Sequence, residues 1–182
     1  MKRTNRSSLK GRVVKLYEVY SRYFLSSRDS KRVLKVLETL AGRTFGKRVE
    51  VEVFKTRQGI DFYAIDGKVL LWSKGETFYP TLLLPLLYET ALPKITVDEG
   101  AVPHVLNGAD IMRPGVVSIE GEFEKNDTVV VFEEKYRKPI CISLALYSSD
   151  VLSAMNKGKV FKNIHYLNDK LWKFIVRISK LQ

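Results

Sequence analysis

Apolar residues at the start of the chain recur at Leu9, Val13, Leu16/Tyr17, Tyr20 and Phe24, with lysines and arginines between them. Steps of three and four predict an amphipathic helix from Leu9 to Phe24, with the tyrosines read as core. "SSRDS" then offers capping side chains before a second stripe at Val33, Val36/Leu37 and Leu40, and Gly42 is the expected stop. At "RVEVEVF" the period changes. Val49, Val51 and Val53 alternate with Glu50 and Glu52, which predicts a half-buried strand. In "IDFYAIDGKVLLWS" the Asp66-Gly67 pair separates two β-rich runs and predicts a tight hairpin, because a type I′ turn requires positive φ. Leu82 to Tyr88 reads as a short helix with Pro85 in or near its first turn. Pro93 closes that segment, and a domain boundary is expected near residue 92, dividing the chain into 1–92 and 93–182.

Beyond the boundary the elements are shorter. "KITV" is a strand, and "DEGAVPHVLNG" is a short helix ending at Gly108, with Pro103 forcing a late start or a bend. "IMRPGVVSI", "DTVVVFEE", "PICISLALY" and "LWKFIVRI" read as strands from their β-branched content. "SSDVLSAMNKG" reads as one helix between a Ser148 or Ser149 cap and a Gly158 stop. Short strands with little helix predict a small barrel.

Charge sharpens the picture. Of 182 residues 45% are hydrophobic, enough for a real core, and the net charge is +11. Residues 1–32 carry +8 and residues 157–182 carry +6, which leaves the middle at −3. Basic ends attract polyanions by releasing condensed counterions. The one cysteine, Cys141, lies in an apolar run, which excludes an internal disulfide and a Cys-rich zinc site. No apolar run approaches the roughly 18 residues of a membrane span, and the basic start lacks the apolar core of a signal peptide. A cytoplasmic protein with no membrane partner is expected.

Catalysis needs placed acids, bases, nucleophiles or a metal. The two histidines, His104 and His165, stand in no metal-ligand spacing, and there is no Gly-rich phosphate loop. Adjacent carboxylates such as Asp98-Glu99 and Glu133-Glu134 read as solvated. No catalytic residue, metal or cofactor is assigned, and a non-enzyme is expected. What the chain offers instead is "NKGKVFKNIHYLNDKLWKF", where Lys157, Lys159, Lys162, Lys170 and Lys173 alternate with aromatic residues. Lysines hold phosphates and aromatic faces stack unpaired bases. Phe161, Leu167, Leu171 and Trp172 are expected in the core, while Lys157, Lys159, Lys162 and His165 are candidate RNA contacts.

"VLNGADIMRPGVVSI" places a Gly turn, a lone arginine and a Pro-Gly pair beside one strand. Within "VDEGAVPHVLNGADIMRPGV" it resembles the signature of a PUA domain, an RNA-binding module. "MNKGKVFKNIHYLNDKLWKF" and "GETFYPTLLLPLLY" resemble segments of one PUA family, the malignant T-cell-amplified sequence proteins with ligatin and archaeal single-chain relatives. The resemblance runs from about residue 55 to 175 and contains three separated motifs in the family's order.

The resemblance implies an α+β protein, with an N-terminal α/β pre-PUA domain followed by a PUA β-pseudobarrel. It implies a non-catalytic translation factor at the small ribosomal subunit, in tRNA delivery or release, reinitiation or recycling. Its partners would be tRNA or small-subunit rRNA and a separate initiation-factor-like protein. PUA domains approach RNA with their first helix, the Gly loop after it and the last strand. That assigns Lys94, Asn107, Gly108, Ala109, Arg113, Pro114 and Gly115 to the RNA-facing set, beside Lys157, Lys159, Lys162 and His165. Gly108 would let RNA approach the backbone, and Arg113 would grip a phosphate. An accessory RNA-modification or ribosome-assembly protein is the alternative. "GRTF" at Gly42–Phe45 lacks the catalytic aspartate of a pseudouridine synthase. A protein-interaction adaptor is the third reading.

Overall fold

The computed structural model describes residues 17–46 and 48–179. Strands β1 (Val19–Phe24), β2 (Val51–Thr56), β3 (Ile60–Ile65), β4 (Lys68–Lys74) and β5 (Thr77–Pro80) form an antiparallel meander in chain order. Helix α1 (Ser27–Ala41) joins the first two strands. The Ser26 hydroxyl accepts the Asp29 N–H at 3.2 Å, and Gly42, at φ +64°, donates its N–H to the Glu38 carbonyl. Of the expected stripe, Val33 and Leu37 are buried between these caps and Val36 and Leu40 half-buried, with Ala41 buried beside them. Asp66 and Gly67 both have positive φ, so the β3–β4 hairpin is the expected turn. Helix α2 (Leu83–Leu87) carries Pro85 in its first turn.

The helix expected from Leu9 to Phe24 is not what forms over its described part. Residues 1–16 lie outside the described residues, and Val19–Phe24 is an edge strand. Tyr20 is 60% and Phe24 61% exposed, so of the described stripe only Tyr17, just before the strand, reaches the core, edge-on to Phe62 and Phe174. Pairing with β2 decides the conformation, and Arg22 ties the two strands by reaching Glu52 and lying over the Phe54 ring. This also corrects the half-buried reading of β2. Val51, Val53 and Phe54 are all buried, and Glu52 is buried in its ion pair.

The second sheet contains β6 (Lys94–Val97), β7 (Ile111–Met112), β8 (Val116–Glu120), β9 (Thr128–Glu133), β10 (Pro139–Ala145) and β11 (Lys159–Tyr166). Their order is β7-β11-β10-β9-β6-β8, with β6 and β9 parallel and the other pairs antiparallel. Ile95, Val97, Val129, Val131 and Phe161 are central to its core. Helices α3 (Val102–Val105) and α4 (Ser149–Ser153) stand at its end. The run expected as one strand, "IMRPGVVSI", is broken by a 3-10 turn at Arg113–Gly115, where Pro114 cannot extend a ladder. The helix expected to reach Gly158 ends at Ser153, and Gly158, at φ +99°, turns the chain into β11.

"LWKFIVRI" is a helix, not a strand: α5 (Lys170–Ile178), capped by the Asp169 carboxylate. Its Leu171, Phe174 and Ile175 are buried against the first sheet, with the Phe174 ring 4.6 Å from Phe62. Each such side chain contributes about 1.5–3 kcal/mol on burial. The chain therefore leaves the second sheet and returns to the first. A small cluster of Leu82, Leu92, Val130 and Ile142, with Leu40 and Trp172 packed against it, joins the two cores. The molecule is α+β: an α/β unit followed by a β-pseudobarrel. No helix among the described residues is long and apolar enough to cross a membrane.

Candidate nucleic-acid interface

The Asp98 carboxylate accepts the Ala101 N–H at 2.7 Å and sets the start of α3. The loop after that helix folds back on it. The Gly108 N–H bonds the Val105 carbonyl, and the Ala109 N–H bonds the His104 carbonyl. Gly108 has φ +86°, a conformation in which a side chain is strained. β11 holds this loop from the other side. Asn163 donates its side-chain amide to the Val105 and Ala109 carbonyls at 3.0 and 3.1 Å. Its backbone N–H reaches Asp110 at 2.9 Å, and the Lys159 ammonium reaches the same carboxylate at 2.7 Å.

Burial alone would raise the Asp110 pKa. The Lys159 and Asn163 hydrogen bonds, with the charges of Lys159 and Lys162, instead bring it below the usual carboxylate value. The loop anchor is thus ionised near neutral pH, and it positions one lysine.

Between α3, this loop and the β7 turn lies an open groove of about 660 Å³. Val105 and Ile111 are buried in its floor, and His104, Met112, Pro114 and Lys159 stand on its walls. Gly115 permits the walls to meet, since a β-carbon there would stand 3.0 Å from that of Ala101. Lys157, Lys159 and Lys162 are exposed along the start of β11. An apolar groove beside several cations can hold a base or sugar while the lysines meet phosphates.

Most of the sequence-derived candidates converge here. Asn107, Gly108 and Ala109 are the exposed loop, and Pro114 and Gly115 form part of the wall. Arg113 stands behind the groove. Its guanidinium donates to the Leu152 carbonyl at 3.4 Å and the Val116 carbonyl at 3.2 Å, which fastens α4 to the turn. Two further candidates do not join the surface. Lys94 lies at the far end of β6, opposite Glu120, about 13 Å along the strand from Asp98. His165 is fully buried, with Nδ1 2.8 Å from the Asp169 carboxylate, and so cannot meet RNA in this fold. Phe161 and Leu171 are buried as expected, while Leu167 and Trp172 are half-buried. Cys141 is enclosed, and burial pushes its thiol up to about 12, far from a nucleophile's range.

Sequence reasoning gave no role to Asn163, which anchors the loop, or to Tyr166, which packs against Gly108, both from more than 50 residues away. Asn163 had no local signal, and Tyr166 read only as one aromatic in a basic run.

Comparison with known proteins bears on this geometry. Residues 93–167 match the PUA domain family, and residues 21–88 match a family described as Domain of unknown function (DUF1947). The chain is 34% identical over 160 residues to the uncharacterized protein MJ1432 of Methanocaldococcus jannaschii, covering 86% of this chain and 98% of that protein. It is 32% identical to translation machinery-associated protein 20 of Saccharomyces cerevisiae, over 77% of this chain and 81% of the relative. It is 33% identical to malignant T-cell-amplified sequence 1-B of Xenopus laevis, over 75% and 78%. The chain belongs to this family of PUA proteins.

A solved family-like structure, the hypothetical protein PH0734.1 of Pyrococcus horikoshii, superposes with a TM-score of 0.74 at 31% identity, covering 85% of this chain and 99% of that one. A conserved PUA domain protein from Thermoplasma acidophilum gives 0.73 at 28% identity, over 85% and 99%. The groove and its lysines therefore lie within the segment that matches the PUA domain.

Proposed function

We propose that this PUA protein is a non-catalytic RNA-binding component of the translation machinery, which meets RNA through the α3–β7–β11 surface. The observation that carries the reading is the pinned Gly108 loop. Asn163 and Asp110 fix it beside an apolar groove, and exposed Lys159 and Lys162 stand on the adjoining strand with Lys157 just before it. A rigid loop offers backbone groups and a shaped groove without paying ordering entropy on binding. Two relatives bear names that associate them with the translation machinery or the malignant T-cell-amplified sequence family. The RNA we propose is tRNA or rRNA of the small subunit, in the cytoplasm, with any initiation-factor-like partner a separate chain.

The test is a salt series with labelled tRNA and small-subunit rRNA fragments. Replacing Lys157, Lys159 and Lys162 together by alanine should reduce the slope of log K against log salt by about 2, at roughly 0.7 per phosphate contact with single-stranded RNA. An unchanged slope with both RNAs would refute this surface. Formation of a modified nucleoside by the purified protein would refute the non-catalytic reading.

A further inference from the structure

Helix α1 carries an arrangement of charge that folding does not account for. At 3.6 residues per turn, Arg28, Lys31, Arg32 and Lys35 fall within one arc of about 100°, opposite buried Leu37. They occupy about 10 Å of axis, from the second to the ninth of the helix's 15 residues. All four are exposed, and none makes an ion pair with another described residue. The nearby carboxylates are engaged elsewhere. Asp29 takes the Ser26 hydroxyl at 2.7 Å, and Glu38 takes the Phe45 N–H at 3.0 Å. The helix dipole disfavours cations near a helix start and favours them in the last turn, yet no residue of the last turn is basic. Arg28 opposes the dipole in the first turn, and the like-charged pairs Arg28/Arg32 and Lys31/Lys35 repel at i,i+4. Although Asp29, Asp61, Glu76 and Glu50 line the adjoining grooves, none forms an ion pair with the stripe.

Directly before this stripe, edge strand β1 exposes two aromatic rings, Tyr23 at 44% and Phe24 at 61%. Each borders a groove shared with α1. Phe24 and Lys31 line one of about 530 Å³, while Tyr23 and Arg32 line another of about 320 Å³. Cations beside exposed aromatic faces are the elements that hold single-stranded nucleic acid: the cations follow phosphates and the rings stack bases.

We propose that the Arg28–Lys35 stripe of α1, with Tyr23 and Phe24 of β1, is a second RNA-binding surface that takes an unpaired RNA segment independently of the PUA groove. Charge complementarity selects a polyanion, and the exposed rings select unpaired bases over a duplex. Leu40, toward the other end of α1, packs at the junction of the two cores. The stripe begins about 18 Å farther along the helix from that junction, and shares no lining residue with the PUA groove.

The experiment uses the full chain with a 20-nucleotide oligo(U) and a duplex RNA of equal length. In one variant Arg28, Lys31, Arg32 and Lys35 are all changed to alanine. The salt slope for oligo(U) should fall by about 3, at roughly 0.7 per contact. The melting temperature should hold or rise, because alanine favours the helix and unfavourable charge is removed. In a second variant, Tyr23→Ala with Phe24→Ala, oligo(U) binding should weaken at least about fivefold per lost stack, with duplex binding nearly unchanged. Both effects should persist when Lys157, Lys159 and Lys162 are also replaced, which separates this surface from the PUA reading. An unchanged oligo(U) salt slope in the first variant would overturn the proposal. Equal losses for duplex and oligo(U) in the second, or displacement of oligo(U) by poly-glutamate of matching charge, would overturn its assignment to unpaired RNA.

Discussion

Tyr166 lies against Gly108. A β-carbon at position 108 would stand 3.0 Å from the tyrosine hydroxyl oxygen and 3.1 Å from its ring. The glycine is therefore required twice, once for φ +86° and once for the close approach of an aromatic side chain. Gly108→Ala should cost about 1–2 kcal/mol from the left-handed backbone alone, with a further cost because Tyr166 must move. Urea unfolding measures the total. The same substitution in a Tyr166→Leu background should cost less, and an equal cost would show that the ring contact contributes nothing.

Asn163 spans from β11 to both ends of the loop. Asn163→Ala removes one of two donors from the Val105 carbonyl, which keeps the Gly108 N–H, and leaves the exposed Ala109 carbonyl to water, so each lost bond costs about 0.5–1.5 kcal/mol. Hydrogen exchange should report the consequence locally. Protection at Gly108 and Ala109 should fall well beyond the global loss of stability, and RNA affinity should fall with it. Exchange that changes only in step with global unfolding would show that the loop holds without this clamp.

The depressed Asp110 pKa has a definite consequence for stability. A carboxyl whose folded pKa lies below its unfolded value stabilises the fold above the unfolded value, about 3.9, and loses that contribution as pH falls through the folded one. The stability gap between the natural protein and Asp110→Asn should therefore be constant from pH 7 to about 5 and shrink below about 4. Chemical unfolding at a series of pH values measures it. A gap that widened on acidification would mean that the carboxylate is not held by Lys159 and Asn163.

Much of this architecture is legible in the chain, and the failures have physical causes. Ser26 and Gly42 bracket α1, and Asp66-Gly67 marks its hairpin, because caps and tight turns are made by neighbours in sequence. At β1 the pairing with β2 prevailed over a spacing that also fits a helix, and sequence spacing carries no information about that partner. At α5 the β-branched residues Ile175, Val176 and Ile178 suggested a strand. The better signals were Asp169 as a cap and the three-step from Leu171 to Phe174. The groove-side loop was readable from Gly108 and its neighbours, since glycine and proline constrain the backbone locally. Asn163 was not, because its role is defined by carbonyls 54 and 58 residues away. His165 looked available among lysines and aromatics, but the strand turns it inward to Asp169.

The central claim, that the surface around Gly108 and β11 meets RNA, is tested most directly by crosslinking with ultraviolet light and mapping the nucleotide adducts by mass spectrometry. The full chain would be irradiated with small-subunit rRNA fragments and with tRNA. Adducts are expected on peptides spanning His104–Met112 and Lys157–Lys162, the walls of the groove and the start of β11. They should disappear from both peptides when Lys157, Lys159 and Lys162 are replaced by alanine. Adducts confined to other regions, with these two peptides unmodified under saturating RNA, would contradict the assignment.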